Sequence, residues 1–468
     1  MKLSHYIKWN NIGVWILVFF FIRLIGITNA PLESGHSWRQ CTGLMVARNF
    51  VEDQSSIFYP TVNETNGGLG YVGMEFPALY YAHALVADVV GYDHWYGRLI
   101  NLIISSLGIW FFYRLVKKYA DEKLAFQASL ILLSSIWFAF SRKTMSDTFC
   151  VSLVMMALWH GLQYLEEGKA KNLIGYGLLA LLGVLSKIPA GIYLALFIAP
   201  AWKCWDKKGR LFSFSLVTVL CIGIVYYWYF IWCIHLSDLS GKWYNIGSSF
   251  AEGVDEIYNH WGNVAKRFYF SAFNGFVFFI LFVAGLVRLW RERNIRLIYV
   301  FGIITFIFAV YAVKSGRFFQ HHDYYIIPYV PIMALIAAFG LRFLDNKKII
   351  FTLLAVGMLE GIINQQHDFF IKKNQRYKLT LEDMVNQLAE PTDLIAINGG
   401  GDPQLIYFAH RKGWSFDEEE ANTDRFWLAY QEKGAKWIIF DRHLFQTPLD
   451  FPVAFENEDF LVYQLQGH

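Results

Sequence analysis

The chain has 468 residues, of which 55% are hydrophobic, 18% aromatic and 17% charged, and its mean hydropathy is +0.32. Soluble globular domains carry about 25% charged residues, so this composition predicts an integral membrane protein and argues against a soluble one. The formal net charge of +3 is too small to indicate nucleic-acid binding.

Apolar segments near the length that crosses a bilayer occupy most of residues 1–364. They predict a membrane domain, an all-α polytopic bundle of about eleven transmembrane helices. The first segment would be a cleaved signal if Thr28-Asn29-Ala30 were a cleavage site, but the many later segments favour a retained helix. The predicted spans are 12–28, 96–113, 124–141, 147–165, 172–186, 188–202, 211–235, 269–287, 297–313, 324–341 and 349–364.

The stretch 172–202 decides the topology, because Lys187 and Pro189 interrupt it. It is either two short helices joined at Lys187 or one long kinked helix. With a hairpin at Lys187 and the N-terminus inside, Lys and Arg residues concentrate in the cytoplasmic segments. With one long helix, Lys and Arg residues would instead be more numerous in the outer segments. Since cytoplasmic loops retain positive charge, the sequence predicts the hairpin.

This topology places four segments on the outer face of the membrane: 29–95, 236–268, 314–323 and 365–468. The first is longer than a linker needs. Within it, the apolar helical period from Met74 to Val90 predicts a helix lying along the membrane interface. Function is therefore expected on the outer face.

Residues 365–468 are predicted to form a small extracytoplasmic α/β domain with an accessory role. The triple glycine at 399–401 resembles a phosphate-binding loop, but no Lys-Ser/Thr pair follows it, so a strand-to-helix turn is favoured. A helix is predicted from the cap Asp402 to a point before Gly413, and a second over 423–433. Strands are predicted at Asp393–Ile397, Lys436–Phe440 and Phe460–Gln464.

Ionisable residues gather on the outer side of the predicted bundle. The densest group is Glu33-Ser34-Gly35-His36-Ser37-Trp38-Arg39-Gln40, just past the first span. Other members of the outer group are Glu75, Arg98, Arg142, Lys143, Asp147, Lys187, His260, Lys314, Arg317, His321, His322 and Asp323.

Such a set suits a substrate whose polyprenyl tail stays in the hydrocarbon while its phosphate lies at headgroup depth. A carboxylate can deprotonate an attacking hydroxyl, and Arg, Lys, His or a metal can stabilise charge on a departing phosphate. The pattern therefore indicates glycosyl transfer from a lipid phosphate.

The chain resembles the GT-C type polytopic membrane glycosyltransferases, of the bacterial group related to protein O-mannosyltransferases and aminoarabinose transferases. The residues that carry this resemblance are Glu33 after the first span, Glu75-Phe76-Pro77, Arg98, Met145-Ser146-Asp147, Ser186-Lys187, and Arg317 before Tyr324-Tyr325.

The resemblance implies transfer of a sugar from a polyprenyl-phosphate donor to a lipid, polysaccharide or protein acceptor, with inversion at the anomeric carbon. It implies that Glu33 occupies the family's catalytic carboxylate position, which is usually Asp. It also implies that Glu75 contributes to a divalent metal site, for which His260 is an alternative partner. Phe76 and a single Pro77 stand where related members have Lys and two prolines, which puts a phosphate contact there in doubt.

Several of these residues also have structural interpretations. Glu33 would otherwise be a solvated carboxylate or the cap of a helix from about residue 37, and Arg39 would pair with Glu33 or with lipid headgroups. Asp147 is expected to cap its helix. Glu75 could likewise cap the helix that follows it. The Lys187 ammonium could either extend to the membrane surface or bind phosphate.

Two further alternatives concern basic residues. The adjacent His321 and His322 are interpreted as interfacial residues beside aromatic side chains rather than as metal ligands. Arg23, inside the first span, is expected to snorkel.

The sequence therefore predicts a membrane glycosyltransferase that binds membrane lipids, and the resemblance implies that it belongs to a bacterial inner membrane. Glu33 is the predicted general base, and Glu75 and His260 are the candidates for a divalent metal. A transporter or flippase of lipid-linked sugars is the alternative, although transporters usually place ionisable groups near the bilayer midplane. The candidate substrate and phosphate ligands are His36, Arg39, Arg98, Asp147, Lys187 and Arg317.

Overall fold

The computed structural model describes residues 10–65, 67–240 and 247–465. The packing of the Cα trace divides the chain into two compact units. The domain boundary predicted after residue 364 stays a prediction. The first unit is drawn from residues 1–27, 97–229 and 246–369, and the second from residues 28–96, 230–245 and 370–468.

The first unit is helical throughout its described residues. Its α-helices run over Ile12–Arg23, Tyr96–Tyr119, Glu122–Ser134, Trp137–Phe140, Ser146–Glu167, Ala170–Ser186, Ile198–Lys203, Lys208–Tyr227, Phe250–Asn259, Trp261–Lys266, Val277–Glu292, Ile295–Ser315, Arg317–His321, Val330–Gly340 and Lys347–Asn364. Tighter 3₁₀ turns cover Ile188–Phe197, Asp323–Tyr329, Leu341–Phe343 and Gln366–Phe369, and wider π turns cover Trp228–Trp232 and Arg267–Ser271.

Helical structure lies at each of the predicted spans. Over the described residues, five helical segments are long and apolar enough to cross a membrane. The number of spans stays a prediction, because several of the other apolar helices are shorter than a bilayer requires. The five long segments are Tyr96–Tyr119, Ser146–Glu167, Lys208–Ser240, Ile295–Ser315 and Asp323–Phe343.

The hairpin predicted at Lys187 is confirmed. The helix Ala170–Ser186 ends where Lys187 adopts an extended backbone, with φ of −169°. The rings of Tyr176 and Phe197 then lie only 5.2 Å apart between centroids. One continuous helix would separate these positions by about 30 Å, so the chain reverses direction between them.

Arg23 does not snorkel as predicted. Its side chain is completely buried in the first unit, and its guanidinium donates to the Phe19 carbonyl at 2.9 Å and to the Ser141 hydroxyl at 2.6 Å. A charge removed from water needs such partners, because an unsatisfied guanidinium in an apolar interior costs several kcal/mol. The sequence does not reveal this pocket, because Ser141 is distant along the chain.

The predicted outer segment 236–268 lies partly outside the described residues, since 241–246 are not described. Its described part is helical rather than an open loop, and the segment 314–323 likewise contains the short helix Arg317–His321. In the helix Phe250–Asn259, the Ser249 hydroxyl and Glu252 form a capping box, which stabilises the first turn.

The second unit combines helices with one mixed sheet. Its helices cover Ser37–Glu52, Ala78–Val90, Cys233–Ser240, Leu381–Leu388, Gln404–Ala409, Glu418–Ala421 and Phe426–Gln431, with a 3₁₀ turn at Lys373–Thr380. Its strands are β1 (Leu394–Ile397), β2 (Gly413–Ser415), β3 (Ala435–Asp441), β4 (Val453–Glu456) and β5 (Phe460–Gln464), in the spatial order β2-β1-β3-β5-β4.

The three predicted strands are confirmed as β1, β3 and β5, and the predicted turn at the triple glycine is also present. β1 pairs in parallel with β2 and β3, whereas β5 is antiparallel to β3 and β4. Gly400 has a φ of +54°, and Asp402 accepts from the Gln404 amide at 3.0 Å. β2 and β4 were not predicted, because they are too short to show an alternating pattern.

The first outer segment joins the edge of this sheet within the second unit. The Thr65 amide donates to the Gly413 carbonyl, and the Gly413 amide donates to the Asn63 carbonyl, both at 2.9 Å. Glu33 forms an antiparallel bridge with Ile371. The first outer segment is therefore tied to residues far away in sequence at two places, at Gly413 and at Ile371.

His410 ties two helices of the same unit together. Its Nδ1 lies 2.6 Å from the Glu382 carboxylate and its Nε2 lies 2.8 Å from that of Glu52. The hydrogen bond with Glu382, followed by that with Glu52, raises the pKa of His410 above its ordinary value. The hydrogen bond from His410 correspondingly lowers the pKa of Glu382.

Unfolding of the detergent-solubilised protein should depend on pH through His410. A raised histidine pKa contributes stability that is fully present below about pH 6.5 and is lost as pH rises through the folded-state value. We expect the wild-type melting temperature to fall more between pH 6 and pH 9 than that of His410→Asn, which removes the titrating ring but tolerates the positive φ of 49°. Parallel melting profiles of the two proteins would contradict this role.

Candidate functional site

Glu33 and Glu75 belong to a group in the second unit that we call the first-loop cluster: Glu33, Arg39, Gln40 and Glu75. It is organised by the helix Ser37–Glu52, which begins after His36 adopts a left-handed backbone with φ of +57°. His36 is the N-cap residue and its side chain makes no capping bond, while the interpretation of Glu33 as a cap of this helix stays a prediction.

Glu33 is buried, with 5% of its surface exposed, although it lies in a polar loop. The fully buried Gln40, one turn into the helix, donates from Nε2 to Glu33 Oε1 at 2.6 Å. A buried carboxylate is costly unless it accepts hydrogen bonds, and Gln40 supplies one with fixed geometry. Glu33 is therefore an oriented carboxylate rather than a solvated surface group.

Arg39 forms an ion pair with Glu75, and both side chains are mostly buried. The pairing of Arg39 with Glu33 stays a prediction. Glu75 also does not cap the helix Ala78–Val90, whose N-cap is Pro77. The ion pair therefore connects the helix Ser37–Glu52 to the segment that precedes the helix Ala78–Val90.

A second group, which we call the helix-end cluster, lies in the first unit and comprises Lys143, Asp147, Lys187, Tyr324 and Asp368. Its local framework depends on Asn101, whose Nδ2 is placed to donate to the carbonyls of Phe140, Lys143 and Met145 at 3.1, 2.8 and 3.2 Å. This contact holds the non-helical turn that precedes the helix Ser146–Glu167. Asn101 thus positions the backbone that carries Lys143 and Asp147.

Asp147 and Lys187 form the most defined ion pair of this cluster. Lys187 Nζ lies 2.5 Å from Asp147 Oδ1, and the side chains are 18% and 4% exposed respectively. The ammonium also lies 4.7 Å from the ring centroid of Tyr324 and 5.5 Å from that of Tyr325. Asp147 is in the first helical turn as predicted, but its carboxylate pairs with Lys187 and the helix has no side-chain cap.

Lys143 and Asp368 form a second ion pair in the first unit, at 3.2 Å with 1% and 8% exposure. Arg142 donates to the Asp368 carbonyl at 3.0 Å and to the Ile25 carbonyl at 2.6 Å, and it lies over the Phe369 ring. These contacts hold the residues after the last long helix against the turn at 141–145. Asp368 was not singled out from the sequence.

The remaining predicted residues differ in accessibility. Arg98 is 2% exposed and donates to the Ile27 carbonyl at 3.2 Å. Arg317 is exposed at the start of a short helix, over the ring of Phe318. His260 Nδ1 lies 3.2 Å from Glu256, and His322 stacks on Tyr324 with centroids 5.2 Å apart.

The divalent metal stays a prediction. Within the part of the chain that the structure describes, no group of three or more His, Cys, Asp or Glu side chains is placed to hold a metal ion. Glu75 is engaged by the Arg39 guanidinium, and His260 by Glu256.

Sequence reasoning missed Gln40 as the partner of Glu33 and Asn101 as the organiser of the 141–145 turn. Gln40 belongs to the polar segment 33–40, and its position one turn after the start of the helix was the signal for a contact with Glu33. Asn101 lies inside an apolar span, where a polar amide needs partners and therefore indicates a structural role. The hydrogen-bond partners of Gln40 and Asn101 cannot be deduced from residue spacing alone.

The comparison with known proteins supports the resemblance seen in the sequence. Residues 75–229 match the family model described as dolichyl-phosphate-mannose-protein mannosyltransferase. A search of curated proteins finds no match. These residues include Glu75, Arg98, Asp147 and Lys187 but not Glu33.

Solved structures match over nearly the whole chain. ArnT from Cupriavidus metallidurans, bound to undecaprenyl phosphate, gives a TM-score of 0.60 at 11% identity and covers 96% of this chain and 98% of that one. The oligosaccharyltransferase AglB from Archaeoglobus fulgidus, in complex with an inhibitory peptide and a dolichol-phosphate, gives 0.58 at 12% identity, covering 93% of this chain and 70% of AglB.

These matches show that the chain has the GT-C fold of the polytopic membrane glycosyltransferases. Within that class, its segment 75–229 is similar to the dolichyl-phosphate-mannose-protein mannosyltransferases. The resemblance stated from the sequence is thereby confirmed, and the chain is an integral membrane protein.

The Asp147 and Lys187 pair should show strong energetic coupling. Removing one partner leaves a poorly solvated charge, so Asp147→Asn and Lys187→Met should each destabilise the protein by about 3 kcal/mol. The double variant should lose less than the sum of the two, with a coupling energy of about 1 to 3 kcal/mol. A double-mutant cycle of unfolding in detergent measures both values.

The exposed pair Glu167 and Lys169 is the matched control, with side chains 39% and 60% exposed and 2.7 Å between charged atoms. Solvent screens this pair, so the same cycle there should give no measurable coupling. Equal coupling in the two cycles would contradict a special role for Asp147 and Lys187.

Proposed function

We propose that the protein is a glycosyltransferase that moves a sugar from a polyprenyl-phosphate donor to an acceptor hydroxyl on the outer face of the membrane. The observation that supports this most is the GT-C fold over 96% of the chain, shared with an ArnT structure that holds undecaprenyl phosphate. The buried, oriented Glu33 carboxylate supports it independently.

Glu33 is the proposed general base. It takes the proton from the acceptor hydroxyl while that oxygen attacks the anomeric carbon of the donor sugar. The bond from this carbon to the phosphate oxygen breaks, and polyprenyl phosphate leaves with the electron pair. Attack opposite the leaving group inverts the anomeric configuration. Gln40 fixes the carboxylate, so its reach does not depend on a flexible loop side chain.

The departing phosphate needs cationic partners, since negative charge accumulates on it as the bond breaks. Lys187 is the strongest candidate, because Asp147 and two tyrosine rings fix its ammonium while part of the side chain remains exposed. Arg317 is exposed and carries a fixed charge, whereas Arg98 is buried against a backbone carbonyl. We therefore rank Lys187 and Arg317 above Arg98 for direct contact.

Other features belong to the same proposal. They are the topology of about eleven spans, a location in a bacterial inner membrane with residues 365–468 outside the cytoplasm, and substrate contacts by His36 and Arg39. The acceptor is proposed to be a lipid, a polysaccharide or a protein. The transporter alternative gains no support from the comparisons, which match transferases.

Glu33→Gln should abolish transfer while preserving the fold. An amide cannot accept the acceptor's proton, so the rate should fall by at least about a hundredfold. The measurement uses purified protein, radiolabelled polyprenyl-phosphate sugars and membrane acceptors, and counts label transferred. Glu458→Gln, at an exposed turn of the second unit, is the matched control and should keep the wild-type rate.

Two outcomes oppose the proposal in different ways. Undiminished transfer by Glu33→Gln would remove Glu33 from the mechanism. Absence of transfer by the wild type with every donor tested would contradict the transferase itself.

Gln40→Met should lower the turnover rate by about tenfold with little change in the donor KM, because Glu33 loses orientation but the donor site is untouched. Gln320→Met is the matched control, since Gln320 is also buried and donates to a glutamate, Glu256, at 2.9 Å. Steady-state kinetics of both variants separate the two effects. Equal losses in the two variants would indicate a general structural defect.

A further inference from the structure

A cavity of about 460 Å³ lies in the α/β part of the second unit, among residues to which no role has been assigned. It is bordered by β2 and by the helices Glu418–Ala421 and Phe426–Gln431. Buried aromatic side chains, Trp414, Phe426 and Tyr430, form its inner wall. This volume is within the range of cavities that bind small organic ligands, about 300 to 1,000 Å³.

The inner wall contains a polar group without a partner. Trp414 is 4% exposed, and its indole Nε1–H makes no hydrogen bond within the described part of the chain. By contrast, the buried Trp437 of the same sheet donates to Asp393 at 3.1 Å. A buried donor left unpaired costs about 1 to 3 kcal/mol, so a ligand acceptor at this wall would be favoured.

The rim of the cavity carries charges of both signs. Glu420 and Asp424 supply carboxylates, and Arg425 and Lys433 supply cations. This balance disfavours a ligand with a large net charge. It suits a ligand rich in hydroxyl groups, because each hydroxyl both donates and accepts hydrogen bonds.

The aromatic side chains of the cavity wall are the third feature that indicates the class of ligand. The ring of Trp414 lies 5.9 Å from that of Tyr430, and Phe416 packs beside Tyr430. Such rings offer flat apolar surface beside polar tips. A pyranose matches this combination, since one face of the ring presents C–H groups while its edge presents hydroxyls.

We infer that this cavity is a saccharide-binding site, taking one or two uncharged sugar rings. On the proposed function, which this assignment to a substrate rests on, the bound saccharide is the sugar portion of the acceptor. The site then makes the acceptor class a glycan or glycolipid and gives the second unit a role in selecting it. Sugar binding itself does not require the transfer reaction.

The test uses the full chain in detergent and titrates it with mannobiose, maltose, lactose and N,N′-diacetylchitobiose by calorimetry and saturation-transfer NMR. At least one should bind saturably to the wild type. Trp414→Phe keeps an aromatic wall but removes the indole donor, and should weaken binding by about tenfold. Asp424→Asn, at the exposed rim, should weaken it several-fold without affecting the fold.

Asp450→Asn is the matched control, because Asp450 is exposed in the same part of the chain and does not line the cavity. It should bind like the wild type. If no disaccharide binds the wild type, or if Asp424→Asn and Asp450→Asn bind equally well, the saccharide site is wrong.

The two proposals fail separately. Glu33→Gln should bind the disaccharide normally while losing transfer. Saccharide binding in a protein that transfers no sugar would contradict the proposed reaction and its acceptor assignment but keep the binding site. Transfer by the wild type without disaccharide binding would contradict the cavity assignment and keep the reaction.

Discussion

The structure depends on one constraint: a charge or polar group placed among apolar helices must find its partner within the protein. Asp147 pairs with Lys187 and Lys143 with Asp368, while Arg23 is completely enclosed by hydroxyl and carbonyl oxygens. The desolvation cost of an isolated ion is a large fraction of the marginal stability of a folded chain, so these contacts are required and not incidental. These contacts also fix the positions of the reactive side chains.

The same constraint governs the second unit, where Glu33 is buried within the polar loop after the first helix. Gln40 holds Glu33, and Arg39 holds Glu75, so both acidic positions of the family resemblance have defined surroundings. They are nevertheless used differently. Glu33 accepts a hydrogen bond from the Gln40 amide, and Glu75 forms an ion pair with the Arg39 guanidinium.

Much of the fold was predictable because membrane insertion imposes long apolar runs, and these are visible in the sequence. The distribution of Lys and Arg even resolved the reversal at Lys187, which the contact of Tyr176 with Phe197 confirms. The sequence did not predict that Ile188–Phe197 is a 3₁₀ segment, since both helix types share the same composition. The edge strands β2 and β4 were likewise missed, because their stability comes from pairing with neighbours.

The candidate site was predictable as a set of residues but not as a set of contacts. Asp147 and Lys187 were both named from the resemblance, yet their pairing joins positions 40 residues apart in sequence and appears only in the fold. Snorkelling is a local explanation, and it failed for Arg23 because tertiary partners were available, whereas Asp147 lies in the first turn of its helix as predicted and also pairs with Lys187. Local rules describe the alternatives open to a side chain, whereas packing selects among them.

Chemical rescue tests the central claim most directly. In a Glu33→Ala protein supplied with a lipid-linked sugar donor and acceptor, added formate can occupy the space of the missing carboxylate and accept the proton. The account predicts that transfer is lost in this variant and returns in proportion to formate, with the inverted product. Transfer at the wild-type rate without formate would contradict it.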